Sequence, residues 1–173
     1  MLWFNRDSSL SKLIKDSTVY TELSNGELVP HKLDLKTVLK NKPEYVDILA
    51  KALIGCIPKF RVSNNLCCLY PSVAATILVS AATTGVIKGT LLVKEGFDYF
   101  RVIGFGAGKE IKEATLFDDV SYSGDTLLKM LKTAEEQGIL IKDALTIIDR
   151  CRGASRRLRE HGVTLQSFVS VDF

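Results

Sequence analysis

Two adjacent carboxylates, Asp118 and Asp119, are followed by Val120, Ser121, Tyr122, Ser123, Gly124, Asp125 and Thr126. Paired acids of this kind accept hydrogen bonds from vicinal hydroxyls and attract a magnesium ion. The hydroxyls of Ser121, Ser123 and Thr126, joined by free backbone N–H groups at a helix start, suit an anion instead, and Gly124 lets that anion approach the backbone closely. The string therefore fits a ligand carrying a diol at one end and a phosphate at the other. The competing explanation is a strand-end turn in which Asp125 or Ser123 merely caps the following helix.

Position in the chain favours the ligand. The apolar run at 112–117 leads into the acids, and 126–137 has amphipathic helical spacing closed by Gly138. A site between a strand end and a helix start is where open parallel sheets bind ligands. The flanking pattern supports such a sheet: strands are expected at 65–70, 89–93, 99–105, 143–148 and 165–171, with helices at 73–82 and 155–161. Upstream, a short amphipathic helix begins at 10–14, turn residues 24–27 precede an extended run at 28–35, and helical spacing at 45–56 ends near 55–58. The alternation predicts an α/β fold with a mainly parallel central sheet flanked by helices, built as one domain over 1–173 with residues 1–40 as a small N-terminal lobe.

Composition agrees with a globular chain and excludes several classes. Of 173 residues, 46% are hydrophobic and 25% charged, which rules out a disordered or fibrous chain. The formal charge of +3 is too small to argue for nucleic acid. Five arginines between 150 and 159 form either a solvated helix face or a site for phosphate, carboxylate or a partner. Cys56, Cys67, Cys68 and Cys151 lack metal-ligand spacing and read as reduced thiols. The start of the chain lacks a sustained apolar core, so no signal peptide is expected, and the apolar stretch at 66–87 is broken by Pro71 and Gly85. No membrane association and a cytoplasmic location are the expectations.

The string from 114 to 126 resembles the phosphoribosyl-pyrophosphate signature of the type I phosphoribosyltransferases. Asp149-Arg150, the turn at Gly153 and the helix ending at Gly162 before the last strand resemble the orotate members. The segment from Pro30 to Leu35 is similar to their extended segment near the base. The resemblance implies that Asp118 and Asp119 hold the ribose hydroxyls, as catalytic residues, and that Ser121, Tyr122, Ser123, Gly124, Asp125 and Thr126 hold the 5′-phosphate. It also implies that Arg150 forks onto the orotate carboxylate, that the N-terminal lobe is a hood, and that magnesium and a homodimer are involved. The small-molecule partner would be phosphoribosyl pyrophosphate or a nucleoside monophosphate. Arg150 has a second reading, a salt bridge to Asp149 or a neighbouring acid.

Two stretches depart from the family pattern. Residues 69–75, where a pyrophosphate loop rich in glycine is expected, contain no glycine. The segment 92–112 keeps Lys94 as the candidate catalytic cation but carries Val93 and Phe97 where the family has basic residues, leaving Lys109 and Arg101 as further candidates. Two functions follow: transfer of phosphoribosyl to a pyrimidine base, or a catalytically impaired relative that binds a nucleotide or phosphoribosyl pyrophosphate as regulator or subunit. A purine or uracil salvage enzyme on the same fold fits the C-terminal residues less well.

Overall fold

The computed structural model describes residues 8–60, 62–95, 100–105 and 111–172. Helix α1 (Ser8–Ser17) leads into an antiparallel hairpin of β1 (Thr18–Glu22) and β2 (Leu28–Leu33), the expected N-terminal lobe. Its turn is fixed by Asn25, whose Oδ1 accepts the Glu27 N–H at 3.0 Å. The extended run expected to reach residue 35 stops two residues early. Asp34 accepts the N–H of Thr37 at 3.0 Å and caps α2 (Leu35–Asn41), whose Leu35 and Leu39 are buried one turn apart. Helix α3 (Glu44–Phe60) likewise runs past its expected end, through Pro58. Its apolar face continues there, with Ile57 buried and Phe60 stacked on Phe168 at 6.4 Å between ring centroids.

The rest of the chain alternates strand and helix. Strand β3 (Asn65–Tyr70) and helix α4 (Val73–Ala82) match their expected bounds. Then come β4 (Gly89–Glu95), β5 (Phe100–Phe105), β6 (Glu113–Ser121), α5 (Asp125–Glu136), β7 (Leu140–Asp149), α6 (Ala154–Glu160) and β8 (Thr164–Ser170). The large sheet has the order β5-β4-β3-β6-β7-β8, parallel throughout except for the edge strand β5. This is the mainly parallel sheet that the alternating pattern predicts.

One apolar cluster joins Phe117, Leu145, Ile147 and Phe168 of the sheet to α3 and α4, and a second joins Cys67, Leu116 and Ala144 to α5 and α6. Each fully buried Leu, Ile or Phe in these clusters contributes about 2 kcal/mol. This packing fixes the strand ends of β6 and β7, from which the candidate site is built.

Candidate functional site

Strand β6 does not end at the acid pair. It carries Asp118 and Asp119 within its last turn of pleat and continues pairing with β7 through Val120 opposite Ile148 and Ser121 opposite Asp149. Pairing continues through the two acids and for two positions beyond them, because the ladder bonds do not depend on side-chain polarity. The loop then turns through Gly124, whose φ of 84° is left-handed, and α5 begins at Asp125. A Cβ at position 124 would also lie 3.1 Å from the Ala154 Cα, so glycine is demanded by both conformation and space. Gly124 is the N-cap and no side chain caps the helix, which counts against the competing explanation in which Asp125 or Ser123 would do so. Ser123 Oγ donates to the Asp125 carboxylate at 2.6 Å and accepts the Asp125 N–H at 3.4 Å.

The first intrahelical bond runs from the Leu128 N–H to the Gly124 carbonyl, so the N–H groups of Asp125, Thr126 and Leu127 precede it at the positive end of the helix. These residues share a cavity of about 200 Å³ lined by Asp118 and by residues 120–127. Acid and anion-binding groups thus face one space. Burial, with the Asp119 charge beside it, holds the Asp118 carboxyl well above the usual carboxylate range. Burial raises Asp119 as well. The Asp119 N–H donates to Asp118 Oδ1 at 3.0 Å, which offsets part of that cost. A pair in this state gains from any ligand that supplies hydroxyl donors or a cation.

Ser121 plays a different part from the one its position in the motif implies. Its side chain is buried and its hydroxyl donates to Asp149 Oδ1 at 2.8 Å, so this hydroxyl is committed to β7 and not offered to the cavity. The same carboxylate oxygen accepts the Cys151 N–H at 3.1 Å, and the Arg150 N–H donates to the Ser121 carbonyl at 3.0 Å. These three bonds tie the turn after β7 to the start of the loop. Cys151 adopts a φ of 53° there, a left-handed conformation that non-glycine residues seldom take, and nothing in the sequence signals it.

Arg150 is positioned from two sides. Its Nη2 donates to the His31 carbonyl of the hairpin at 3.2 Å, and its guanidinium lies 5.0 Å from the centroid of the Tyr122 ring. The hairpin, the loop and the Asp149-Arg150 turn therefore meet at one place. Tyr122 is itself half-exposed on the cavity wall.

The opposite side of the sheet end looks different. After β3 the chain turns at once into α4, with Ser72 donating to the Leu69 carbonyl at 2.5 Å and accepting the Ala75 N–H at 3.0 Å. Pro71 and Ser72 line a second cavity of about 390 Å³ with Lys36, Lys40 and Thr76; it is larger than the first but holds neither acid. Lys94 falls opposite Tyr70 and Arg101 in strand register, while its side chain, like that of Arg101, and the whole of Lys109 and Phe97 lie outside the described residues. Among the thiols, burial pushes Cys56 up to about 11 and Cys67 up to about 12, which removes them as nucleophiles. No group of three or more His, Cys, Asp or Glu that could hold a metal occurs among the described residues. No helix among them is long and apolar enough to cross a membrane.

The residue that sequence reasoning missed is Arg157 on α6, which reaches both Ser123 and Asp125. Its only signal is membership of the arginine cluster.

No protein-family model matches the chain. The orotate phosphoribosyltransferase of Methanopyrus kandleri is 29% identical over 154 residues, covering 87% of this chain and 79% of the relative. That of Saccharolobus solfataricus is 32% identical over 160 residues, covering 86% and 74%. Among solved structures, the Mycobacterium tuberculosis H37Rv orotate phosphoribosyltransferase in complex with 5-phospho-alpha-D-ribosyl 1-diphosphate superposes with a TM-score of 0.69 at 17% identity, covering 94% of each chain. That last likeness establishes the common fold.

Proposed function

The chain belongs to the orotate phosphoribosyltransferase family, and on that premise we propose that it transfers the phosphoribosyl group of phosphoribosyl pyrophosphate to orotate, a step of pyrimidine nucleotide biosynthesis. The bond from the anomeric carbon to the pyrophosphate oxygen breaks as the bond to the base nitrogen forms, giving orotidine monophosphate and pyrophosphate. The observation that carries the reading is the shared cavity: the buried Asp118 and an open helix start face the same space, with Asp119 next in the strand, and Arg150 stacks on its wall.

The roles follow from the chemistry of each group. Asp118 and Asp119 accept hydrogen bonds from the two ribose hydroxyls, which relieves a carboxylate pair otherwise held above its usual range. The amides of Asp125, Thr126 and Leu127, with the Ser123 and Thr126 hydroxyls, hold the 5′-phosphate; Gly124 shapes the turn, and Ser121 and Tyr122 contribute through the loop backbone. Arg150 offers a planar fork to the orotate carboxylate. Lys94, with Arg101 and Lys109 as further candidates, would supply positive charge toward the leaving pyrophosphate.

A magnesium ion fits this donor set. Two carboxylates, with no larger group of His, Cys, Asp or Glu around them among the described residues, suit an ion that arrives with a diphosphate and keeps substrate oxygens in its shell. When bound, it would neutralise charge on the departing pyrophosphate. The same reading takes residues 1–173 as one domain with 1–40 as its hood, expects a homodimer, and assigns no nucleic-acid or membrane partner. A cytoplasmic location is part of it, supported by four free cysteines.

A second reading has its own observation. The turn at 70–72 is closed by Ser72 and offers no glycine amides to a diphosphate, which favours a relative that binds phosphoribosyl pyrophosphate or a nucleotide without turning it over. An orotate turnover assay with magnesium, run beside calorimetric titration with phosphoribosyl pyrophosphate and orotidine monophosphate, separates the two. Binding with turnover is expected; binding alone supports the second reading, and no binding of either ligand contradicts both.

A further inference from the structure

Asp125 is an unexpected occupant of a phosphate site. It stands in the first turn of α5, and its carboxylate adds negative charge where a phosphomonoester dianion is to bind. The field at a helix start attracts a carboxylate as readily as a phosphate, so an untethered Asp125 would compete for the very amides the ligand needs. It is tethered. Oδ2 accepts the Ser123 hydroxyl at 2.6 Å and Oδ1 accepts Arg157 Nη1 at 2.6 Å.

Arg157 does more than pair with an acid. The same Nη1 donates to the Ser123 carbonyl at 2.8 Å, so one guanidinium nitrogen grips the loop on both sides of Gly124. Its helix, α6, is pressed against that glycine through Ala154. The two side chains remain 38% and 63% exposed, and exposed ion pairs contribute little to folding stability, so stability does not account for this convergence on the loop.

We infer that Arg157 is a positioning residue of the phosphate site: it draws the Asp125 carboxylate aside from the start of α5 and balances its charge, leaving the amides of Thr126 and Leu127 open to the dianionic 5′-phosphate. This rests on the reading of the cavity as the 5′-phosphate site. The Ser123 hydroxyl, now turned to Asp125, is the group that changes partner when phosphate arrives.

The test is charge rescue. Arg157→Ala should weaken phosphoribosyl pyrophosphate and inorganic phosphate about tenfold, the size of one lost charge-assisted contact, with a higher KM for phosphoribosyl pyrophosphate and an unchanged KM for orotate. Arg157→Ala combined with Asp125→Asn should recover binding to within about threefold of the parent, which a packing defect would not allow. Should Arg157→Ala fail to fold, Asp125→Asn alone decides: it should bind phosphate at least as tightly as the parent, and weaker binding overturns the inference. So does a folded Arg157→Ala that binds as the parent does, or a double variant as weak as the single. If the parent protein binds inorganic phosphate with this pattern of rescue but does not bind phosphoribosyl pyrophosphate, the inference stands and the proposed function falls. If the parent binds phosphoribosyl pyrophosphate and Arg157 is without effect, the reverse holds.

Discussion

The loop after β6 and the turn after β3 stand at the same end of one sheet, yet among the described residues only the first joins an acid to an uncapped helix start. After β6, a glycine at φ 84° opens a helix start, Asp118 lines the same cavity, and no side chain caps the helix. After β3, Ser72 caps α4 and Pro71 faces a different cavity, lined by Lys36 and Lys40. An uncapped helix start keeps donors for a ligand; a capped one has already used some of them. Among the described residues, the chain keeps its open helix-start donors after β6 and few after β3.

Substitutions can break or sharpen that contrast. The largest effect is expected from Asp118→Asn with Asp119→Asn, which should weaken phosphoribosyl pyrophosphate binding at least about a hundredfold by calorimetry, since two charge-acceptor contacts go at once. The same variant should be the more thermally stable at neutral pH without ligand. Both carboxyls are raised in the folded state, so the folded protein holds protons that the unfolded chain releases. Their contribution to stability is present below the unfolded value near 3.8 and is lost as pH rises through the raised folded values. Melting curves from pH 4 to 8 should therefore fall more steeply for the parent than for the variant, and equal slopes would contradict the burial of the pair.

Gly124→Ala should come next, lowering stability by about 1–2 kcal/mol through its left-handed φ and the close Ala154 backbone, and loosening phosphate binding with it. Urea unfolding reads the first effect and calorimetry the second. Ser121→Ala sharpens the contrast within the loop itself. Its hydroxyl serves Asp149, so stability should drop by about 1 kcal/mol while phosphoribosyl pyrophosphate affinity stays within about twofold. A large affinity loss would return that hydroxyl to the cavity. The smallest functional effect should come from Ser72→Ala, which removes a helix cap worth about 1 kcal/mol and leaves phosphoribosyl pyrophosphate affinity nearly unchanged. A strong loss of affinity would mean that the turn after β3 binds the ligand after all.

Much of this was legible from the residues. Strand β3 and helix α4 fall at their expected bounds because Asn65, Pro71-Ser72 and Thr83-Thr84-Gly85 punctuate apolar runs on both sides. The acid pair and the glycine of the loop carry their chemistry in their types and order. What stayed hidden depends on tertiary contact. Helix α2 was masked by an extended run whose cap, Asp34, is a single residue, and α3 outlasts Gly55 and Pro58 because Phe60 finds Phe168 far along the chain. The motif alone could not reveal that the Ser121 hydroxyl belongs to Asp149, that Arg150 would be held by a backbone carbonyl of the hairpin, or that Arg157 would be singled out from an arginine cluster.

The central claim is that phosphoribosyl pyrophosphate binds after β6 and not after β3, and amide-resolved nuclear magnetic resonance during titration tests it most directly. The largest shifts are expected at the amides of Gly124, Asp125, Thr126 and Leu127, with those of Val73, Thr76, Lys36 and Lys40 nearly still. Largest shifts around Pro71 and the two lysines, with the loop amides unmoved, would contradict it.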